Sequence, residues 1–224
     1  MIVWTHRGFP GKENTKKAFK NAYELGIRHF ETDVHATFDG VLILSHDRNT
    51  ERLVGTSLDI PEVIYSELIR LTERNFSWYK LEDLLEDFPD VHISIDIKHD
   101  DALNPLIQML GKKHYKNLVI GSFSHKRIAK FRHSLPHYRT ALTPVEILKL
   151  KFGFHKSLTA QGELFAMVPI KHLGLKIITK RFMSRCALMG IPVHVWTVNS
   201  ATLGSQLFEM GTSGVVTDDF RLFR

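Results

Sequence analysis

Short β-branched and apolar runs alternate with longer amphipathic stretches along the whole chain. Residues 2–5, 29–34, 41–44, 92–97, 118–122, 139–142, 165–168, 193–198 and 214–217 have the length and composition of strands. Between them, residues 15–25 place Ala18, Phe19, Ala22 and Leu25 on one helical face. Residues 81–88, 103–113, 125–134, 144–150, 180–189 and 201–210 repeat that spacing. No internal repeat and no Pro/Gly/Ser-rich linker divides the chain. Strand–helix alternation of this kind predicts one α/β domain over residues 1–224, a parallel sheet covered by helices. A TIM-type (β/α)8 barrel takes typically about 250 residues, so 224 are adequate. Nine strand candidates compete for its eight places, and periodicity alone also admits a doubly wound open sheet. The stretch 47–80 reads as compact, with a helix within residues 62–72 and no large capping insertion.

The polar residues favour the barrel. His6-Arg7-Gly8 follows the first strand, Glu31 and Asp33 sit near the end of the second, and His46-Asp47 follows the third. Asp96 and Lys98 end another strand, Trp196 and Asn199 a later one, and Thr217-Asp218-Asp219 the last. In a parallel barrel the carboxyl ends of all strands meet at one face, where active sites are built. An open sheet gathers only the residues near its switch point.

Side chains two apart on a strand point the same way, so Glu31 pairs with Asp33, and Asp96 with Lys98. A strand carboxylate taken alone is more often a surface charge bonded to a nearby lysine. Two such pairs flanked by apolar neighbours favour a shared site instead. Three carboxylates at one mouth repel each other, and a divalent cation that prefers oxygen, Mg²⁺ or Ca²⁺, relieves the repulsion. No Cys/His set points to zinc. A cation with Arg7, Lys98 and two imidazoles suits cleavage of a phosphodiester. The cation, Arg7 and Lys98 neutralise the non-bridging oxygens, while His6 and His46 serve as acid and base. Most of the other histidines, such as His114, His125, His133, His137 and His155, are expected on the surface.

Composition narrows the field. The chain is 43% hydrophobic and 24% charged, and its single cysteine, Cys186, excludes an internal disulfide. No signal peptide or membrane span is evident, so a cytoplasmic location is the default expectation. The formal charge of +6 raises nucleic-acid binding, but the basic residues are scattered and no recognition motif accompanies them. No nucleic-acid partner is expected.

The motifs resemble those of the glycerophosphodiester phosphodiesterases over nearly the whole chain. Thr5-His6-Arg7-Gly8 with Glu13-Asn14-Thr15 is similar to that family's opening, and Glu31-Thr32-Asp33-Val34, Asp39-Gly40 and Ser45-His46-Asp47 to its second block. Asp96-Ile97-Lys98, Gly121-Ser122-Phe123, Val195-Trp196-Thr197-Val198-Asn199 and Val216-Thr217-Asp218 follow in the family's order. The resemblance implies a TIM barrel, one Mg²⁺ or Ca²⁺, and hydrolysis of a glycerophosphodiester to sn-glycerol 3-phosphate and an alcohol. It makes Glu31, Asp33 and Asp96 metal ligands and His6 and His46 the acid/base pair. Arg7 and Lys98 then hold the phosphate, and Trp196 lines the substrate pocket. It further implies attack by the substrate's own 2-hydroxyl, followed by opening of the cyclic phosphate by water.

Two positions depart from the family pattern. Lys12 stands where proline is usual, and Asp96 where glutamate is commoner. Soluble glycerophosphodiesters are the expected substrates. The alternatives are a lysophospholipase D acting at membranes and a non-catalytic anion or nucleic-acid binder. Phe152 and Phe154, or Leu222 and Phe223, are possible membrane contacts, with packing the expected role for both pairs.

Overall fold

In the computed structural model, which describes residues 1–72, 76–154, 158, 162–172 and 174–224, the strands close on themselves. They are β1 (Ile2–His6), β2 (His29–Ala36), β3 (Leu42–Leu44), β4 (His92–Ile97), β5 (Leu118–Gly121), β6 (Arg139–Ala141) and β7 (Leu164–Pro169). A small hairpin, β8 (Lys171–His172) and β9 (Leu175–Lys176), precedes β10 (Val193–Trp196) and β11 (Gly214–Thr217). The order β1-β11-β10-β7-β6-β5-β4-β2 is parallel throughout, and β1 pairs with β2 through Thr5↔Phe30 and His6↔Glu31. That last pairing removes the sheet edges and excludes the open doubly wound alternative.

The surplus strand candidate is residues 41–44. β3 lies outside the barrel, antiparallel to β2 with Val34 opposite Leu44. The chain reverses at Thr37–Gly40, where the Thr37 hydroxyl donates to Asp39 and accepts from the Val41 amide. A two-strand hairpin needs only such a turn, whereas a further barrel strand would need a crossover helix.

The helices are α1 (Lys16–Glu24), α2 (Glu51–Val54), α3 (Tyr65–Thr72), α4 (Leu81–Asp87) and α5 (Leu103–Lys112). They continue with α6 (His125–Ser134), α7 (Pro144–Phe152), α8 (Lys180–Leu188) and α9 (Ala201–Glu209). Thr15, Ser124, Thr143, Thr179 and Ser200 each cap the helix that follows by accepting a backbone amide. At α7, Glu146 also accepts from the Thr143 amide at 2.8 Å, completing a capping box. The helix expected within 62–72 is a 3-10 turn (Ile60–Glu62) followed by α3. The short α2 and the β8–β9 hairpin carry no clear period and were not foreseen. No helix among the described residues is long and apolar enough to cross a membrane.

Alternation along the strands divides the two faces. On β4, Ile93, Ile95 and Ile97 are buried against the helices with Phe30, Leu84 and Leu106. Ser94, Asp96 and Glu31 face the other way, into the lumen. A second apolar cluster lies under α7, α8 and α9, around Leu150, Phe182 and Val195. The lumen's lower part is aromatic. Trp4 donates through Nε1 to His194 Nδ1 at 3.0 Å and meets His29 edge-on, and His29 stacks on His92 at 4.8 Å.

Candidate active site

One cavity of about 230 Å³ opens at the carboxyl ends of the strands, and His6, Arg7, Glu31, Asp33, His46, Asp96, Lys98 and Trp196 all line it. The eight residues named from the sequence are thus brought together. Each arrives from a strand end or the loop that follows, as expected for a parallel barrel.

The loop after β1 is built with unusual backbone. Arg7 adopts φ 56° and Gly8 φ 79°, the left-handed region that costs a residue with a Cβ. A Cβ at Gly8 would stand 2.9 Å from Ala18 Cβ and 3.0 Å from the Phe19 amide, so the loop packs directly on α1. Buried Asn14 secures the turn: its amide donates to the Arg7 carbonyl at 2.7 Å, and its Oδ1 accepts from Thr32. The Lys12 carbonyl accepts the Thr15 hydroxyl at 2.7 Å, which closes the segment where the family has proline.

The charges form a lattice. Asp33, 4% exposed in its side chain, is gripped by Arg7 Nε at 2.9 Å and by Lys98 Nζ at 3.2 Å. Lys98 also lies 3.2 Å from Asp96. Three acids therefore face two cations, and Glu31 is left over. Its Oε2 is buried without a hydrogen-bond partner, and His6 Nε2 lies 3.8 Å away. Burial, then the neighbouring Asp33, drives the Glu31 carboxyl well above the usual range. Burial raises Asp96 too, against the opposing pull of Lys98. Lys98 itself is raised, because the two aspartates outweigh its burial.

These donors suit a hard divalent cation in kind. All are carboxylate oxygens, two of them (Glu31 Oε2 and Asp33 Oδ2) are buried without a hydrogen bond, and the acids outnumber their cationic partners. Among the described residues, however, no three acid, histidine or cysteine side chains are set as they stand to hold a metal ion. Lys98 occupies the space between Asp33 and Asp96. A cation would share those carboxylates with the ammonium and take Glu31 as its uncontested ligand. Asp96 is thus bonded to a lysine, as a lone strand carboxylate often is, but the pair is inside the mouth and not on the surface.

Both histidines are oriented through Nδ1. His6 Nδ1 donates to Asp218 Oδ1 at 2.5 Å, and Asp218 is held in turn by Asn199 Nδ2 at 2.6 Å. His46 Nδ1 donates to Asp47 Oδ1 at 2.7 Å. Asp218 and Asp47 are both held below the ordinary carboxylate value. Burial opposes this, but bonds from His6 and Asn199 outweigh it at Asp218, and bonds from Arg52 and His46 at Asp47. Either arrangement leaves Nε2 as the reactive nitrogen. Buried His35 adds a bond from its Nε2 to the His46 carbonyl at 3.3 Å, and its ring is pushed down to about 4 by desolvation.

The sequence placed Asp47, Asn199 and Asp218 at strand ends but gave them no role. Their signal was adjacency, in His46-Asp47 and in the paired ends of β10 and β11. Of the histidines expected on the surface, His114, His125, His133 and His137 are exposed, and His155 lies outside the described residues. Phe152 and Phe154 are not core residues: they are 60% and 69% exposed, at the opposite end of α7 from Pro144. Phe223 does pack, against the second core and Gly204.

Beyond the charged end the cavity turns apolar. Trp196 meets Phe123 edge-on at 5.9 Å, and Leu142, Ile147, Leu148, Met167, Val168 and Ile177 continue the wall.

Residues 6–222 match the sequence profile of the Glycerophosphoryl diester phosphodiesterase family. A probable glycerophosphodiester phosphodiesterase 2 of Mycobacterium tuberculosis is 30% identical over 236 residues, covering 100% of this chain and 89% of that protein. A lysophospholipase D of Homo sapiens is 26% identical, covering 96% of this chain and 82% of its own length. Among solved structures, a glycerophosphodiester phosphodiesterase of Thermotoga maritima superposes with a TM-score of 0.82 at 27% identity, covering 99% of this chain and 96% of that one. An Oleispira antarctica phosphodiesterase, solved with the product sn-glycerol-3-phosphate, shares the fold with a TM-score of 0.74 at 18% identity, over 97% and 93% of the two chains.

Proposed function

From the premise that the chain belongs to the glycerophosphoryl diester phosphodiesterase family, we propose that it cleaves glycerophosphodiesters to sn-glycerol 3-phosphate and an alcohol by divalent-cation-assisted acid/base catalysis with His6 and His46. That it is a glycerophosphodiester phosphodiesterase follows from its relatives. The observation that carries the finer reading is the meeting of orphaned Glu31 with Asp33, Asp96 and two carboxylate-oriented imidazoles in one cavity.

Glu31, Asp33 and Asp96 would hold the cation. Bound there, it supplies charge neutralisation for the non-bridging phosphate oxygens and a Lewis acid beside the attacked phosphorus. The chain's own groups do the rest. Arg7 presents a guanidinium fork and Lys98 an ammonium to the same oxygens. One imidazole takes the proton of the glycerol 2-hydroxyl as it attacks phosphorus and the other protonates the departing alkoxide, each through Nε2, and water then opens the cyclic phosphate to glycerol 3-phosphate. Asp218 and Asp47 fix the rings so that neither has to reorient during the reaction. The Trp196 and Phe123 rings flank the entrance to the apolar wing.

The test is release of glycerol 3-phosphate from glycerophosphoethanolamine or glycerophosphocholine, followed in a coupled assay. His6→Ala and His46→Ala are each expected to lower turnover by at least about a hundredfold without loss of fold. Excess EDTA is expected to stop the wild-type enzyme, and Mg²⁺ or Ca²⁺ to restore it. Near-normal turnover in either variant removes that histidine from the mechanism.

The apolar wing favours a second reading of the substrate. Among the described residues no acid lies in the wing to receive a cationic head group, since the lining carboxylates Glu31, Asp33 and Asp96 are all at the charged end. An acyl chain on the glycerol moiety suits those walls, in line with the lysophospholipase D relatives. Parallel assays on lysophosphatidylcholine and glycerophosphocholine decide between the readings. A kcat/KM ratio favouring the lysolipid supports this one, and a ratio favouring the soluble diester supports the first.

A further inference from the structure

We propose that Arg52 is a positioning residue for the hydrolysis, a strut that holds His46 and Arg7 in register across the mouth of the barrel. The inference rests on the roles given above to those two residues. Arg52 does not line the cavity, and neither do Glu13 or Asp47, so it acts through other groups.

The connection runs without a gap. His46 Nδ1 donates to Asp47 Oδ1 at 2.7 Å, and Arg52 Nε donates to the other oxygen of the same carboxylate. The far edge of the guanidinium is bidentate on Glu13, with Nη2 to Oε1 at 2.5 Å and Nη1 to Oε2 at 3.3 Å. Glu13 Oε1 lies 3.5 Å from Arg7 Nη1, and Arg7 Nε is 2.9 Å from Asp33. One side chain thus ties the loop after β1 to the loop after β3. Burial opposes charge on Glu13, and so to a smaller degree does Asp47, but the bond from Arg52 and the nearby Arg7 outweigh both, and Glu13 is held below the ordinary carboxylate value.

The fork geometry explains why arginine stands here. Two carboxylates on different loops are bonded through three N–H directions fixed in one plane, which an ammonium on a flexible stem cannot reproduce. The strut also stands on a fixed base. Val54 of α2 is buried in a small apolar cluster with Ile43, Ile60 and Leu68. The Thr50 hydroxyl bonds to the Thr56 carbonyl at 2.5 Å, and the Glu51 amide to Asn49 Oδ1 at 2.9 Å.

A purely stabilising role does not account for this placement. The Arg52 side chain is 50% exposed, and exposed ion pairs contribute little to stability. Misplacing a catalytic group by an ångström, in contrast, can cost about a hundredfold in rate.

The experiment is steady-state kinetics on glycerophosphoethanolamine with saturating Mg²⁺, beside thermal melts, for the wild type, R52A, R52K, E13Q and D47N. D47N is expected to lower chiefly kcat, through His46, and E13Q to raise chiefly KM, through Arg7. R52A is expected to do both, lowering kcat/KM by about ten- to a hundredfold while its melting temperature stays close to wild type. R52K is expected to recover only part of the loss. R52A within twofold of wild type in both constants overturns the proposal, as does R52K with full activity. Should R52A fail to fold, R52K, E13Q and D47N still decide: a full-activity lysine variant, or the two arms showing no kcat–KM split, overturns it. H46A separates this inference from the mechanism it rests on. An active H46A removes the role of His46 itself, whereas an inactive H46A beside an unimpaired R52A removes only the strut.

Discussion

His6 Nδ1 lies 2.5 Å from Asp218 Oδ1, joining the first barrel strand to the end of the last across 212 positions of sequence. The β1–β11 pairing, with Thr5 opposite Thr217, makes the contact possible by bringing both strand ends to the same height. Asn199 holds the far oxygen of Asp218 and accepts the Asp218 amide at 2.9 Å, so the carboxylate is fixed before it meets the ring. A histidine tethered in this way presents one nitrogen to the cavity in one orientation.

Asp218→Asn keeps the size of the side chain and removes its charge. The expected outcome is a fall in kcat of at least about tenfold with KM little changed, since the proposed mechanism has Asp218 orient His6 and Asp218 itself does not line the cavity. Equal kcat in the variant and the wild type contradicts the orienting role.

Gly8→Ala tests whether the strained turn sets up the site. The substitution places a Cβ against Ala18 and the Phe19 backbone at a positive φ, and is expected to cost on the order of 1–3 kcal/mol in stability. Because Arg7 is the adjoining residue, phosphate affinity is expected to fall as well. Chemical denaturation and inhibition by inorganic phosphate measure the two effects. Unchanged values in both contradict the account of the turn.

The lumen floor predicts an acid-sensitive stability. His194 is 1% exposed and accepts the Trp4 Nε1–H on Nδ1, and burial pushes its pKa down to about 4 from an ordinary 6.5. The unfolded chain therefore takes the proton first as pH falls. The stabilisation is complete above about pH 6.5 and is lost progressively toward pH 4, to a limit of about 3 kcal/mol. His194→Gln has no such proton to take, so its unfolding free energy is expected to fall less than that of the wild type over this window. Parallel stability curves for the two proteins contradict the assignment.

Glu146 joins the capping box of α7 to Arg132, with Nη1 donating to Oε1 at 2.5 Å, and is only 5% exposed. Glu146→Ala leaves a mostly buried guanidinium without its counter-charge and is expected to cost about 3 kcal/mol. The Glu146 carboxyl is held below 4.5 by Arg132 and Thr143, against the cost of its burial. Its contribution is therefore present above the ordinary glutamate pKa and lost as pH falls through the lowered value. Denaturant melts of the variant at pH 7 and pH 3 check both parts; an equal deficit at the two values contradicts the ionic role.

Much of the barrel was legible because strand and helix periods alternate cleanly, and because a parallel barrel gathers strand ends whatever lies between them. Glu31, Asp33, Asp96 and Lys98 were legible for the same reason, since spacing by two fixes the face on which a side chain emerges. Residues 41–44 have the composition of a barrel strand, and only the turn before them, too short for a crossover, sets them apart. Asp218, Asp47 and Arg52 were opaque because their work is contact with another side chain. Nothing local to Arg52 announces that Glu13 will stand opposite it. The ammonium of Lys98 lying between Asp33 and Asp96 was equally hidden, because alternation gives the side a residue faces and not how far its side chain reaches.

The central claim is that Glu31, whose buried Oε2 has no hydrogen bond beside Asp33 and Asp96, completes a cation site. Calorimetric titration of Mg²⁺ or Ca²⁺ into chelator-stripped protein and its Glu31→Gln variant tests it directly. The account predicts one saturable binding event in the wild type, weakened by at least about tenfold in the variant. Equal affinity in the two proteins, or no binding by a wild-type enzyme that still turns over in excess chelator, would contradict it.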